Sequence, residues 1–158
     1  MKRLILTALL LLTSPAWAAP IEDATAAYAR GDYATVLKII RPLAAKGEAW
    51  AQHFLGDSYY DGQGVVQDYA EAVKWYRLAA EQGLAMAQSN LGLMYAQGQG
   101  VPMDTVRAHM WFNLAAAMGN ADALKNRDIA ARKMTPDQMA EAQKMARECQ
   151  ARKFKGCD

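Results

Sequence analysis

Little in this sequence has the makings of a reactive centre. Its two histidines, His53 and His109, fall on different predicted helices, and its two cysteines, Cys149 and Cys157, lie close together near the C-terminus. A zinc site needs three or four convergent ligands, so no metal and no other cofactor is expected. Beyond residue 18 there are only two serines, Ser58 and Ser89, and neither opens a Ser-x-x-Lys motif. An excess of one charge is missing as well: without Lys2 and Arg3 the chain carries 16 cations against 16 anions. A nucleic-acid binder normally shows a basic footprint, so that class drops out. No uncharged apolar run exceeds the nine residues from Leu4 to Leu12, far short of the roughly 20 that cross a bilayer, and no membrane span is expected.

That short run has a different meaning. In MKRLILTALLLLTSPAWAAP, two cations precede the apolar stretch and Ala16-Trp17-Ala18 follows as a small-x-small cleavage signal. The pattern predicts a secretory leader over residues 1–18, cleaved after Ala18, and a product released across the inner membrane, most simply into the periplasm. The remaining 140 residues are the size of one ordinary domain.

What the sequence does have is a repeat. Residues 51–86 align without gaps on residues 87–122, with seventeen identities over the 36-residue period. In each unit one predicted helix carries Ala51, Leu55, Gly56 and Tyr59, matched by Ala87, Leu91, Gly92 and Tyr95, at the spacing of one helical face. A second carries Ala72, Trp75, Ala79 and Ala80, matched by Ala108, Trp111, Ala115 and Ala116. The small residues let two helix axes approach closely, and the tryptophan is placed to wedge between hairpins.

Between the helices lies YDGQGVVQD, which on its own could pass for a phosphate-binding loop. A phosphate loop needs a strand before the glycines, free amides at the following helix start, and usually a lysine. Here a helix precedes, no lysine follows, and an aspartate occupies the amides. The loop reads as a turn instead. Gly62 and Gly98 end the first helix in a left-handed conformation, and Gly64 and Gly100 make a second bend. Val65 and Val101 fold back onto the hairpin, and Asp68 and Asp104 cap the second helix. Glu71 is placed to complete a capping box in the first unit, where Arg107 leaves half of one in the second.

In the form LGxxYxxGQGVxxDxxxAxxWxxLAAxxG these residues resemble the Sel1-like repeat family, relatives of the tetratricopeptide repeats. The resemblance implies an all-α fold, a right-handed α-solenoid of helix hairpins, and a role as a protein-binding adaptor of bacterial envelopes rather than an enzyme. Some cysteine-rich secreted members are linked to penicillin binding or β-lactamase activity, which makes an envelope enzyme the alternative; those members carry a cysteine pair in each repeat, and this chain has none in either. A homo-oligomeric structural protein is a third possibility.

The ends depart from the repeat. Asp32, Tyr33 and Gly47 lie 36 residues before Asp68, Tyr69 and Gly83, which marks an earlier degenerate hairpin over 19–50, with Pro42 expected to kink its second helix. Downstream, 123–158 lacks the Leu-Gly pair and the glycine loop and reads as a capping hairpin and tail. Thr135, Pro136 and Gln138 predict a capped helix there, buried along Met139, Ala142, Ala146 and Cys149. Cys149 and Cys157 are either a disulfide, suited to an oxidising compartment, or buried thiols.

Positions that vary between the repeats while their neighbours are constant mark a candidate partner groove: Trp50, His53, Asp57 and Tyr60, with Ser89, Leu93 and Ala96 in the next unit. In tetratricopeptide-type solenoids the first helices line the concave side. The expected partner is a protein or peptide of the cell envelope. His53 and Asp57, one turn apart, are expected to pair at the surface and supply polar selectivity.

Overall fold

The computed structural model describes residues 18–158, so the leader expected over 1–18 falls outside the described residues except for Ala18. Those residues form eight helices and no strand: α1 (Ala18–Ala29), α2 (Tyr33–Ala45), α3 (Ala49–Asp61), α4 (Tyr69–Ala80), α5 (Ala85–Gln97), α6 (Thr105–Ala117), α7 (Ala121–Ala131) and α8 (Pro136–Ala151). From α1 to α7 each helix packs mainly on its neighbours in sequence, which makes an all-α solenoid of helical hairpins, and α8 packs on α6.

The loop glycines act as the sequence predicts. Gly62 and Gly98 sit at φ +71° and +68° as the C-caps of α3 and α5, a region that costs an L side chain strain. The chain then returns so that the amides of Asp68 and Asp104 donate to the carbonyls of Tyr59 and Tyr95, each at 2.9 Å. Asp68 caps α4 by accepting from the amides of Ala70 and Glu71 at 2.9 and 3.0 Å, and Asp104 caps α6 by accepting from the amide of Arg107 at 2.9 Å. The capping box expected at Glu71 does not form. The Asp68 amide is already satisfied by Tyr59, and the Glu71 carboxylate pairs with Lys74 instead.

Gly56 and Gly92 explain the Leu-Gly pair of each repeat. A Cβ added at Gly56 would lie 2.6 Å from the Tyr76 ring, and one at Gly92 would lie 2.7 Å from the Phe112 ring. The aromatic side chain of the second helix therefore rests directly on the backbone of the first. Tyr76 and Phe112 are among the largest fully buried side chains, and burying such a ring contributes roughly 2–3 kcal/mol.

A second repeated device joins successive hairpins. The buried amides of Gln52 and Gln88 donate to the carbonyls of Ala44 and Ala80, both at 3.2 Å, at the end of the preceding helix. Those carbonyls lie in the last turn of a helix, where they also accept from the amides of Gly47 and Gly83 at 3.0 and 2.9 Å, and the glutamine uses the remaining lone pair.

At the N-terminal end, Asp32 caps α2 through the amide of Thr35, as its phase with Asp68 predicts. Pro42 does not break α2, which runs unbroken to Ala45. Pro42 and Lys38 are both exposed, so the Lys38 carbonyl that loses its amide partner lies on the solvent side.

The C-terminal pair differs from the others. Helices α7 and α8 each pack on α6 and scarcely touch one another. Thr135 and Gln138 form the expected capping box at the start of α8, and Ala142, Ala146 and Cys149 are its buried residues, with Met139 only half-buried. Cys149 and Cys157 are joined in a disulfide. It turns the tail back along the solenoid, where Phe154 lies over Gly83 and the carboxylate of Asp158 accepts from Trp111 Nε1 at 2.9 Å and pairs with Arg77.

Candidate functional site

Two clefts open between successive first helices. The first, about 210 Å³, has Asp57, Tyr60 and Asp61 of α3 on one side and Asn90, Leu93 and Met94 of α5 on the other, with Tyr76 of α4 beneath. The second, about 410 Å³, lies between α5 and α7 and has Phe112 of α6 as the equivalent of Tyr76. Leu93 lines both, so the two clefts adjoin along the first-helix face.

Their chemistry differs because paired positions differ. In the first cleft the Tyr76 hydroxyl donates to Asp57 Oδ1 at 2.7 Å, and Asn90 Nδ2 donates to the same oxygen at 3.2 Å. In the second, the positions 36 residues on are Leu93 for Asp57 and Phe112 for Tyr76, and the wall continues with Ala96 and Ile129. The first cleft is acidic and hydrogen-bonding. The second is mainly apolar.

His53 joins the first cleft's network from behind. Its Nδ1 lies 3.4 Å from Asp57 Oδ2, and its Nε2 lies 3.1 Å from Asn90 Nδ2. Burial pushes the imidazole below its ordinary pKa, and the attraction of Asp57 opposes this without overcoming it. A neutral ring suits the geometry, with Nδ1–H toward the carboxylate and the Nε2 lone pair toward the asparagine amide. Burial likewise pushes the Asp57 carboxyl up, with His53, Tyr76 and Asn90 holding it back and Asp61 adding to the rise. Desolvation and the Asp57 charge together hold the Tyr76 phenol far above its usual range. The expected surface pair of His53 and Asp57 is therefore corrected: it is a half-buried network tying α3, α4 and α5 together.

Of the residues expected in the groove, Asp57, Tyr60 and Leu93 meet in the first cleft, and Leu93 and Ala96 line the second. Tyr60 leans on Tyr69, ring centroids 5.3 Å apart. Two residues do not belong. Trp50 packs half-buried against the N-terminal core of α1 to α3, and Ser89, only 6% exposed, is buried. The sequence reading missed Asp61, Tyr76, Asn90 and Met94. The signal for Tyr76 was available in the joint change of Asp57 with Tyr76 to Leu93 with Phe112.

The tryptophans also part company. Trp111 is fully buried and hydrogen-bonded to Asp158, whereas Trp75 is half-buried against the N-terminal core. Val65 packs half-exposed against the N-terminal core and Val101 against the main core.

Residues 51–84 and 85–120 each match the family model of the Sel1 repeat. Among solved structures, a protective antigen present in uropathogenic Escherichia coli strains and displaying an SLR fold is similar, with TM-score 0.76 and 36% identity over 82% of this chain and 29% of that chain. A Sel1 repeat protein from Oxalobacter formigenes is similar with TM-score 0.63 and 34% identity over 66% of this chain and 43% of that one. The chain thus spans less than half the length of either. No curated protein matches it.

Proposed function

The chain is a Sel1 repeat family protein, a kind of solenoid suited to protein interaction, and from that premise we propose that it is an exported adaptor. It binds a protein or peptide segment along the concave face made by α3, α5 and α7. The observation that carries this reading is the change of chemistry between two clefts built on one frame: Asp57 and Tyr76 in the first become Leu93 and Phe112 in the second. A pure scaffold needs only the frame. A surface that reads a sequence needs successive positions of different polarity.

Export to the periplasm is supported by the leader-like residues 1–18 and by the Cys149–Cys157 disulfide, a bond that persists in oxidising compartments. Catalysis is not part of the reading. The Ser58 hydroxyl is bound to the Phe54 carbonyl at 3.0 Å and Ser89 is buried, so neither offers an accessible nucleophile.

The test is a cross-linking capture from an envelope fraction followed by affinity measurement with the captured partner. Replacing Tyr60 and Leu93 together by alanine is expected to weaken binding at least about tenfold, or about 1.4 kcal/mol, with helix content unchanged. Wild-type affinity in that double variant would remove the first-helix face as the site. Cell fractionation with thiol labelling tests export, which a cytoplasmic pool with two free thiols would overturn.

A further inference from the structure

The splaying of α7 from α8 leaves a second kind of cleft, on a different part of the molecule from the groove. It measures about 380 Å³. Its floor is α6, which contributes His109 and Asn113 one turn apart. One wall is Arg127 of α7, and the other is α8, with Gln143, Arg147 and Gln150 on successive turns. In the other hairpins of this solenoid the two helices pack on each other.

The lining is one-sided. No carboxylate lines this cleft, while two guanidinium groups and three side-chain amides do. Arg127 turns Nε and Nη2 toward Asp128 Oδ1, at 3.0 and 2.8 Å, which leaves its remaining donors free. Arg147 is exposed and has no ion pair among the described residues. His109 is 4% exposed, an unusual burial for a residue with no hydrogen bond to another side chain or to backbone in the described chain. Of its two ring nitrogens only Nδ1 is sealed from solvent without a partner. A sealed nitrogen without a partner is less costly as a lone pair than as an N–H, which places the proton on Nε2 of this cleft-lining ring.

We propose that this cleft binds an oxyanion of the phosphate class, held by the Arg147 and Arg127 guanidinium groups with His109 Nε2–H as a third donor. Guanidinium forks match tetrahedral oxyanions in geometry as well as charge. The electrostatics agree. Burial and the Arg127 charge hold the empty-site imidazole below its ordinary pKa, against the pull of Asp128. An anion in the cleft reverses that balance, stabilising the imidazolium and raising the pKa, so anion binding and His109 protonation reinforce one another.

The experiment is a titration of the full chain with inorganic phosphate at fixed ionic strength in chloride, followed by NMR of the histidine rings. The His109 resonances should shift saturably and its titration midpoint should rise, while those of His53, on α3, stay in place. Arg147→Gln, at an exposed position, should weaken phosphate binding at least about fivefold without changing Tm. Arg127→Gln should act in the same direction. A second arm presents phosphatidylglycerol vesicles. Sedimentation with them, lost in Arg147→Gln, identifies a lipid headgroup as the source; phosphate saturation without vesicle binding identifies a soluble phosphate. Absence of saturation with phosphate, or unchanged phosphate binding in both arginine variants, overturns the proposal.

Discussion

The Tyr76 hydroxyl donates to the Asp57 carboxylate at 2.7 Å, and one period later the same two positions are held by Phe112 and Leu93. The pair changes as a unit because neither polar member is tolerable alone. A hydroxyl facing leucine leaves the buried Tyr76 donor without an acceptor, and a carboxylate facing phenylalanine loses its shortest hydrogen bond and keeps only His53 and Asn90. Tyr76→Phe and Asp57→Leu should each cost about 1–2 kcal/mol in urea unfolding. The double variant, which copies the second repeat, should cost about 1 kcal/mol less than the sum. Strictly additive losses would show that the two positions are independent.

The frame of the repeat was legible because it is written in steric necessities. Gly62, Gly98, Asp68 and Asp104 each sit where only a few residue types fit, and the period repeats them. The groove was half legible. A stripe of variable positions picks out helices that line the two clefts, but it cannot distinguish a residue that varies at a surface from one that varies because its packing neighbour does. Trp50 and Ser89 line neither cleft. The splay of α7 and α8 had no local signal, since it depends on how both helices meet α6. The fold-back of Asp158 onto Trp111 joins residues 47 apart, beyond the reach of any periodicity.

Glycines of the same loop position should differ in how much they matter. A Cβ at Gly100 would lie 2.3 Å from the Tyr69 carbonyl oxygen, whereas one at Gly64 would meet the Leu37 and Tyr33 side chains at 2.8 and 2.9 Å. Both have φ above +70°, so both substitutions carry backbone strain of about 1 kcal/mol or more. At Gly100 every close obstacle is backbone, whereas at Gly64 the Leu37 methyl can rotate away and the Tyr33 Cβ, fixed to its own backbone, needs only a few tenths of an ångström of movement. Gly100→Ala should therefore destabilise by about 1–2 kcal/mol more than Gly64→Ala in denaturant melts. Equal losses would mean that strain alone decides.

The disulfide and the tail should behave as one unit. Cys149 and Cys157 are eight residues apart, and closing so short a loop contributes about 2.5 kcal/mol in the chain-entropy model. Unreduced, unfolded protein should show no free thiol. Asp158→Ala strips Trp111 Nε1 of its acceptor and Arg77 of its partner, for a cost of about 1–2 kcal/mol. When both cysteines are replaced by alanine the tail is no longer held in register, and the further cost of Asp158→Ala should shrink. An undiminished cost would show that Asp158 docks without the bridge.

The two histidines set the sign of the acid response. Burial lowers the pKa of both His53 and His109 in the folded chain, so the unfolded state takes up protons first as pH falls below about 6.5. Stability is then full above that value and declines on acidification toward the depressed folded pKa. Asp57 has the opposite sign. Its carboxyl is raised by burial, so the folded state accepts that proton earlier and part of the loss is recovered as pH continues into the carboxylate range. Urea unfolding in a chloride buffer free of phosphate should show stability falling as pH drops below about 6.5, before the carboxylates titrate. In the carboxylate range the caps Asp32 and Asp104, whose pKa values are lowered, oppose the gain from Asp57. His53→Gln should flatten the fall. If stability instead rises over that interval, the His53 imidazolium is held by Asp57 more strongly than burial opposes it, and the neutral network behind the first cleft is wrong.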